Sequence, residues 1–321
     1  MAAGLGTRLR PITHEIPKPV VPVCNRPIVE HLVRLLAKHG ADEVIANLHW
    51  FPDAVEASLS DVGSLGVEMS FRREEELLGT AGGVRNVADF LTGGDDDVFL
   101  VLAGDALTDA DLTKLAEAHR ANGGVATLGV TKVADVSEYG VIITDADGRV
   151  QGFQEKPDPA EALSDLVNCM VYAFSPEIFD YFPEDDPVDF ALDLFPSLLE
   201  HGVPFHVHEL GTYWNDIGTL REYVTGNLDA LDGAVSLDLG GELLDGSGTD
   251  YEVEGRVLAA EGAEIGAGAE LTGPVVIGPG ARIGAGAKVK ESVLLAGAEV
   301  PAGSFLARGV AGAVAELAND A

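Results

Sequence analysis

Lysine is scarce in this chain, with 7 residues against 13 arginines, and the 53 acidic residues outweigh all the cations to leave a net charge of −33. So strong a negative balance repels nucleic acid and anionic membranes and removes both from the expected partners. Cysteine is nearly absent: Cys24 and Cys169 form neither a metal nor a redox spacing, which suits a reducing compartment. No stretch approaches the roughly 18 apolar residues of a membrane span, and no basic-then-apolar leader precedes a cleavage site, so a cytoplasmic location is expected. The eight histidines make no zinc spacing, and none falls after residue 232. An Asp/Glu-rich, Lys-poor surface belongs to a protein working in molar salt, where screening reaches only about 3 Å at 1 M, so a salt-adapted, halophilic chain is expected.

What is present is concentrated near the start. Residues 4 to 22, GLGTRLRPITHEIPKPVVP, set two glycines, two threonines, three cations and four prolines at fixed spacing. Gly4 and Gly6 let successive peptide N–H groups converge on phosphate oxygens. Thr7 adds a hydroxyl, Arg8 a planar fork, and Lys18, between Pro17 and Pro19, a compact charge on a stiffened segment. The constellation suits a polyphosphate. There is no Gly-x-x-x-x-Gly-Lys-Ser/Thr string, and Gly4-Leu5-Gly6 lacks the third glycine of the dinucleotide fingerprint.

From residue 26 the periodicity alternates. Ile28, Leu32, Leu35 and Leu36 predict a helix ended by Gly40; strands are expected at 43–48, 67–71 and 98–102, the last continuous and of the buried parallel kind. Helices are expected at 81–91, with free N–H groups and a positive dipole end at its start, and from a cap at Asp109 to about Asn122. Strands near 125–131, 140–144, 149–154, 168–174 and 204–209 would extend an α/β, Rossmann-like, doubly wound and mostly parallel sheet. After about residue 232 aliphatics recur every six residues, at Val253, Ala259, Ile265, Leu271, Ile277, Ile283 and Val289, then slip by one to Leu294, Val300 and Leu306. That period predicts a parallel β-helix of about three coils. Two domains follow, 1–232 and 233–321.

Two carboxylates stand out. Asp105 follows the 98–102 strand through Gly104, which would let a ligand come close, and Asp216 lies in YWNDIGT before a helix start. Together they could hold Mg²⁺ with waters completing the shell.

The run G-x-G-T-R-L-x-P, followed by P-K-P and P-V, resembles the signature of the sugar-phosphate nucleotidylyltransferases, and later motifs extend the resemblance over about the whole chain. The resemblance implies an enzyme that joins a nucleoside triphosphate to a sugar 1-phosphate, releasing pyrophosphate and giving an NDP-sugar. It implies Arg8, Lys18 and Lys156 as catalytic cations, and Asp105 and Asp216 as Mg²⁺ ligands. Ala3, Gly4, Gly6, Thr7, Gly79 and Thr80 would bind the nucleotide, with base and ribose against the LGTAGG turn at 78–83. Glu155-Lys156-Pro157 matches the family's E-K-P; Glu155, Gly140 and Asn168 would meet the sugar. LGTAGG looks most like mannose-1-phosphate guanylyltransferases, hence GTP and GDP-mannose, with glucose-1-phosphate thymidylyl or uridylyl transfer, or a non-catalytic regulatory subunit, as alternatives. The β-helix is expected in its left-handed form, and the protein as a homo-oligomer. The lack of a β-helix histidine argues against a second, acyl-transfer site. Relatives place an apolar strand just before Ala-Ala-Gly, so the natural chain is expected to start several residues upstream of Met1.

Overall fold

Helix Ile28–Lys38 forms where its apolar residues recur at helical spacing: Ile28, Val29, Leu32, Val33 and Leu35 are buried. Gly40, at φ 87°, ends it, and the Ala41 N–H turns back to the Leu36 carbonyl. The computed structural model describes residues 1–94, 97–184 and 187–312. The end of the expected β-helix domain, 313–321, lies outside the described residues. The chain forms two compact units, one of Met1–Gly4, Leu32–Ala106 and Ala110–Trp214, the other of Leu5–His31, Leu107–Asp109 and Asn215–Ala321.

In the first unit, strand Leu166–Phe174 is the hub of a six-stranded sheet. It pairs antiparallel with Phe99–Leu102, Ala126–Lys132 and Gly140–Thr144; Ala126–Lys132 also pairs parallel with His206–Glu209, and Gly140–Thr144 antiparallel with Val150–Glu155. Glu43–Leu48 and Glu68–Arg73 form a separate parallel pair in six-residue register. The α/β class holds, but the sheet is mixed rather than mostly parallel. The 98–102 run, expected as a parallel strand, is antiparallel to its neighbour. A continuous apolar run reports burial on both faces and carries no direction.

Two further expectations are corrected. The helix expected over 81–91 is two, Gly79–Arg85 and Ala88–Leu91, broken around Asn86–Val87; adjacent glycines at 82 and 83 give it little propensity of its own. The cap of helix Leu112–Asn122 is Asp111, whose carboxylate accepts from Lys114 N at 3.0 Å, while Asp109 accepts from Ser236 N at 3.0 Å. The core of this unit is aromatic: Tyr172, Phe174, Phe190, Phe195 and Phe205 are fully buried, with Tyr172 and Phe190 centroids 5.2 Å apart, edge to face.

In the second unit, Thr219 caps helix Leu220–Asp232, accepting from Glu222 N at 3.2 Å, and Gly233 at φ 87° closes it. Fully buried Asn227 accepts from Cys24 N at 2.8 Å, and the Tyr223 hydroxyl donates to Pro22 O at 2.8 Å, which pins the 22–27 turn to this helix. Beyond it the chain winds through stacked parallel strands. Glu252 pairs Glu270 and Glu270 pairs Lys288, one coil of 18 residues each, whereas Lys288 pairs Phe305 and Val276 pairs Val293, a coil one residue shorter. The slip in the hexapeptide phase is therefore a real shortening of the coil, absorbed in the turn around buried Ser292. Leu271, Ile277, Ile283, Val289, Leu294, Val300 and Leu306 all pack into one core. Glu242–Leu244 runs antiparallel along the first coil and covers that sheet edge.

Candidate functional site

In the second unit the proline-rich loop is a series of single 3₁₀ turns, Thr7–Leu9, Ile12–His14 and Lys18–Val20. Gly6 sits at φ 62°, in the left-handed region, and its carbonyl accepts from Thr13 Oγ1 at 2.7 Å. A Cβ there would lie 2.9 Å from Lys18 Cβ. The second glycine is thus needed both for its angle and for its closeness to the lysine stem. Gly4 has nothing within 4 Å of its Cβ position and is exposed, as are Thr7 and Arg8.

Lys18 is buried, and its Nζ donates to the backbone carbonyl of Asp216 at 3.0 Å. The carbonyl points that way because Ile217, a fully buried β-branched residue, is held at φ 45°. Such a residue pays strain in this region, and Asn215 offsets it by accepting from Ile217 N at 2.7 Å. The Asp216 carboxylate stands 3.5 Å from the half-exposed Arg8 guanidinium. A Cβ on Gly218 would lie about 3 Å from Asp216 Oδ2, Arg8 Nη1 and Glu222 Oε2 alike, at 3.0, 3.0 and 2.9 Å. Arg8, Lys18 and Asp216 are therefore brought together, with Glu222 and Asn215 added by the fold.

In the first unit, Ala3 is buried behind exposed Gly4. Asp105 follows strand Phe99–Leu102, half-buried, in a turn closed by Ala106 N to Ala103 O. Gly104, expected to admit a ligand, instead admits the chain itself: its N–H bonds Met1 O at 2.7 Å, and a Cβ would lie 2.6 Å from that oxygen. The Met1 amino group donates to Leu102 O at 2.7 Å, and burial lowers its pKa to about 6 against the pull of Asp105 and Glu74.

The LGTAGG turn differs from its expectation. Gly79, at φ 83°, packs on the Val188 backbone, and the Ala81 and Gly82 N–H groups both bond the Val188 carbonyl, at 2.9 and 3.0 Å. The helix start does not offer these N–H groups to a ligand. Thr80 Oγ1 donates to Asp189 Oδ2 at 2.8 Å and accepts from Phe190 N at 3.0 Å, so its hydroxyl locks the turn in place.

Gly140, Glu155, Lys156 and Asn168 lie on or beside neighbouring strands. Gly140 pairs Glu155 in register, and a Cβ on it would lie 3.3 Å from Glu155 Oε2. Lys156 holds φ 46° with its N–H on Tyr139 O at 3.1 Å, which turns the chain out of the strand. Asn168 sits at a bulge: its oxygen accepts from Met170 N at 3.0 Å and its amide donates to the Tyr172 hydroxyl at 2.8 Å. Part of its hydrogen-bonding capacity is committed to the fold.

The sequence reading did not single out Asn47 and Glu74, both buried and joined by a 2.7 Å hydrogen bond from Asn47 Nδ2 to Glu74 Oε1. An amide inside the apolar strand EVIANL was the available signal. Burial pushes the Cys24 thiol up to about 12 and raises Cys169 also, so neither is a nucleophile at neutral pH.

Among the described residues no group of three or more His, Cys, Asp or Glu side chains is placed to hold a metal. Asp216 and Glu222 nevertheless supply two carboxylates around Gly218, and Mg²⁺ needs one or two of these when phosphates and water complete its shell. The donor set fits. Among the described residues no helix is long and apolar enough to cross a membrane.

A family model described as nucleotidyl transferase matches residues 1–233. The chain is 40% identical over 235 residues to a UTP–glucose-1-phosphate uridylyltransferase of Synechocystis sp., covering 70% of this chain and 60% of that protein. It is 34% identical over 277 residues to a mannose-1-phosphate guanylyltransferase of Mycobacterium tuberculosis, covering 84% and 76%. Among solved structures, HddC from Yersinia pseudotuberculosis superposes with a TM-score of 0.61 at 27% identity, over 70% of this chain and 95% of that one.

Proposed function

Since the chain belongs to the nucleotidyl transferase family, we propose that it joins a nucleoside triphosphate to a sugar 1-phosphate and releases pyrophosphate. The observation that carries the reading is the grouping of Arg8, Lys18 and Asp216 about the Gly6 turn, two cations and a carboxylate on a loop shaped by a left-handed glycine. A phosphate oxygen of the sugar attacks the α-phosphorus, the bond to the β-phosphate oxygen breaks, and pyrophosphate leaves with its charge. No covalent intermediate is required, so catalysis is positioning and charge neutralisation. Arg8 would stabilise the leaving pyrophosphate, and Lys18 and Lys156 would orient and neutralise phosphates. Glu155, Gly140 and Asn168 would meet the sugar; Ala3, Gly4, Gly6, Thr7, Gly79 and Thr80 would meet the nucleotide. Asp105 and Asp216 would hold Mg²⁺, which when bound screens phosphate charge and favours attack.

Within this class we assign guanylyl transfer to mannose 1-phosphate. The LGTAGG sequence and the guanylyltransferase matched over 84% of this chain support it, as does a solved HddC structure described as complexed with GMP-PN. A second reading, uridylyl transfer to glucose 1-phosphate, is favoured by the 40% identity to the Synechocystis protein. The proposed domains remain 1–232 for transfer and 233–321 for the β-helix, in a cytoplasmic homo-oligomer.

Pyrophosphate release should be measured with GTP, UTP, dTTP and ATP, each against mannose, glucose and N-acetylglucosamine 1-phosphates. Highest kcat/KM for GTP with mannose 1-phosphate supports the assignment. Highest kcat/KM for another pair replaces it, and no release with any pair overturns the class.

A further inference from the structure

Asn47 and Glu74 sit at the carboxyl ends of two parallel strands, Glu43–Leu48 and Glu68–Arg73, where open α/β sheets bind their ligands. Both are buried at 7% exposure. Their hydrogen bonds form one directed chain. Ala2 N donates to Asn47 Oδ1 at 3.0 Å, Asn47 Nδ2 donates to Glu74 Oε1 at 2.7 Å, and Leu78 N donates to Glu74 Oε2 at 3.3 Å. One end of that chain is the segment leading into the glycine-rich loop; the other is the first residue of LGTAGG. Helix Gly79–Arg85 rests directly on the pair, since a Cβ on Gly83 would lie 2.8 Å from Glu74 Oε1 and run into Asn47 Nδ2. The Glu74 carbonyl also bonds His49 Nδ1 at 2.9 Å.

The strands do not need this pair to stay together, because six consecutive residues already pair between them. A buried carboxylate and amide cost free energy that an apolar pair would not. What the polar pair supplies is direction: two backbone N–H groups from loops 76 residues apart, at Ala2 and Leu78, are held by acceptors joined to one another. We propose that Asn47 and Glu74 are positioning residues that fix the 78–82 turn against the 2–4 segment, and so pre-form the seat of the nucleoside triphosphate. The proposal rests on the nucleotidyl-transfer reading and adds two residues to it, neither of which need touch the substrate.

The polarity of the inner hydrogen bond gives a specific test. Glu74→Gln retains the shape but turns one acceptor into a donor, so either Asn47 Nδ2 or Leu78 N loses its partner. Asn47→Asp sets a carboxylate against a carboxylate. The double exchange, Asn47→Asp with Glu74→Gln, reverses the inner donor and acceptor while keeping acceptors for Ala2 N and Leu78 N and the same net charge. Triphosphate binding to the full chain by calorimetry, with GTP and UTP as probes, should weaken by roughly 10-fold or more in each single variant, the loss expected for one hydrogen bond to a charged group. The double variant should recover to within about threefold of the parent, with the KM for sugar phosphate nearly unchanged throughout.

Single variants that bind like the parent, or a double variant no better than the singles, overturn the clamp. If the singles fail to fold, the double variant decides alone, wild-type-like binding supporting the clamp and absent binding overturning it. If the parent itself binds neither GTP nor UTP, the guanylyl and uridylyl readings both fail. Amide exchange over residues 78–84 then tests the clamp separately: faster exchange in Glu74→Gln that the double variant reverses supports it, and unchanged exchange overturns it.

Discussion

Lys18 Nζ donates to the carbonyl oxygen of Asp216 across 198 residues of sequence, at 3.0 Å. The bond ties the ammonium to the backbone at Asp216, the ammonium donating and the carbonyl accepting. That carbonyl immediately precedes the left-handed turn at Ile217.

Removing either cation of the loop is expected to act on rate. Lys18→Met, which keeps the buried stem, and Arg8→Ala should each lower kcat by about 100- to 1000-fold, equivalent to about 2.7 to 4 kcal/mol, by analogy with single oxyanion donors. Steady-state pyrophosphate release checks this, and turnover equal to the parent in either variant would refute the assignment of that residue.

The two glycines of the loop should separate cleanly in stability. Gly6→Ala meets both a positive φ and the Lys18 stem at 2.9 Å, so it should destabilise by about 1 to 2 kcal/mol or more. Gly4→Ala has open space and should leave the denaturation midpoint unchanged while remaining free to affect nucleotide binding. Paired chemical denaturation of the two variants makes the comparison, and equal losses would contradict it.

Acid stability should depend on His119. Its ring nitrogens lie 3.0 Å from Thr127 Oγ1 and 2.9 Å from Ser175 Oγ, and burial, the first of its causes, lowers its pKa in the folded state. A depressed histidine binds its proton more readily when unfolded. Its contribution is therefore complete above about pH 6.5, the unfolded value, and is lost as pH falls below it. His119→Gln should show a smaller drop in melting temperature than the parent between pH 7 and 5, measured by calorimetry in one buffer series; an equal drop would exclude this residue as the cause.

Salt should stabilise the chain. A net charge of −33 favours expansion at low ionic strength, and screening contracts from about 10 Å at 0.1 M to about 3 Å at 1 M salt. The urea midpoint is expected to rise steadily over a KCl series into the molar range, and full stability in dilute buffer would end the halophilic reading.

Much of this architecture was legible in the residues. The six-residue phase from Val253 to Val289 gave the stacked coils, and even its one-residue slip corresponds to a shortened coil, because each aliphatic must face the same narrow core. Glu43–Leu48 and Gly140–Thr144 lie where alternation and apolar content set them. The direction of Phe99–Leu102 was not legible, because its pairing partner is Leu166–Phe174, remote in sequence. Nor was the commitment of the Thr80 hydroxyl to Asp189 and Phe190, which depends on a segment more than 100 residues away.

The amino-acid order by itself determined the composition of the glycine- and proline-rich loop, the two textures of the chain and the periods that build them, since propensity, spacing and charge act over a few residues at a time. Tertiary structure decided which donors and acceptors remain for a ligand. It spent the Ala81 and Gly82 N–H groups on Val188, gave Gly104 to the Met1 backbone, and joined Asn47 to Glu74 beneath the LGTAGG turn. Hydrogen bonds are satisfied by whatever partner the fold brings within about 3 Å, and that partner is chosen by packing across distant sequence.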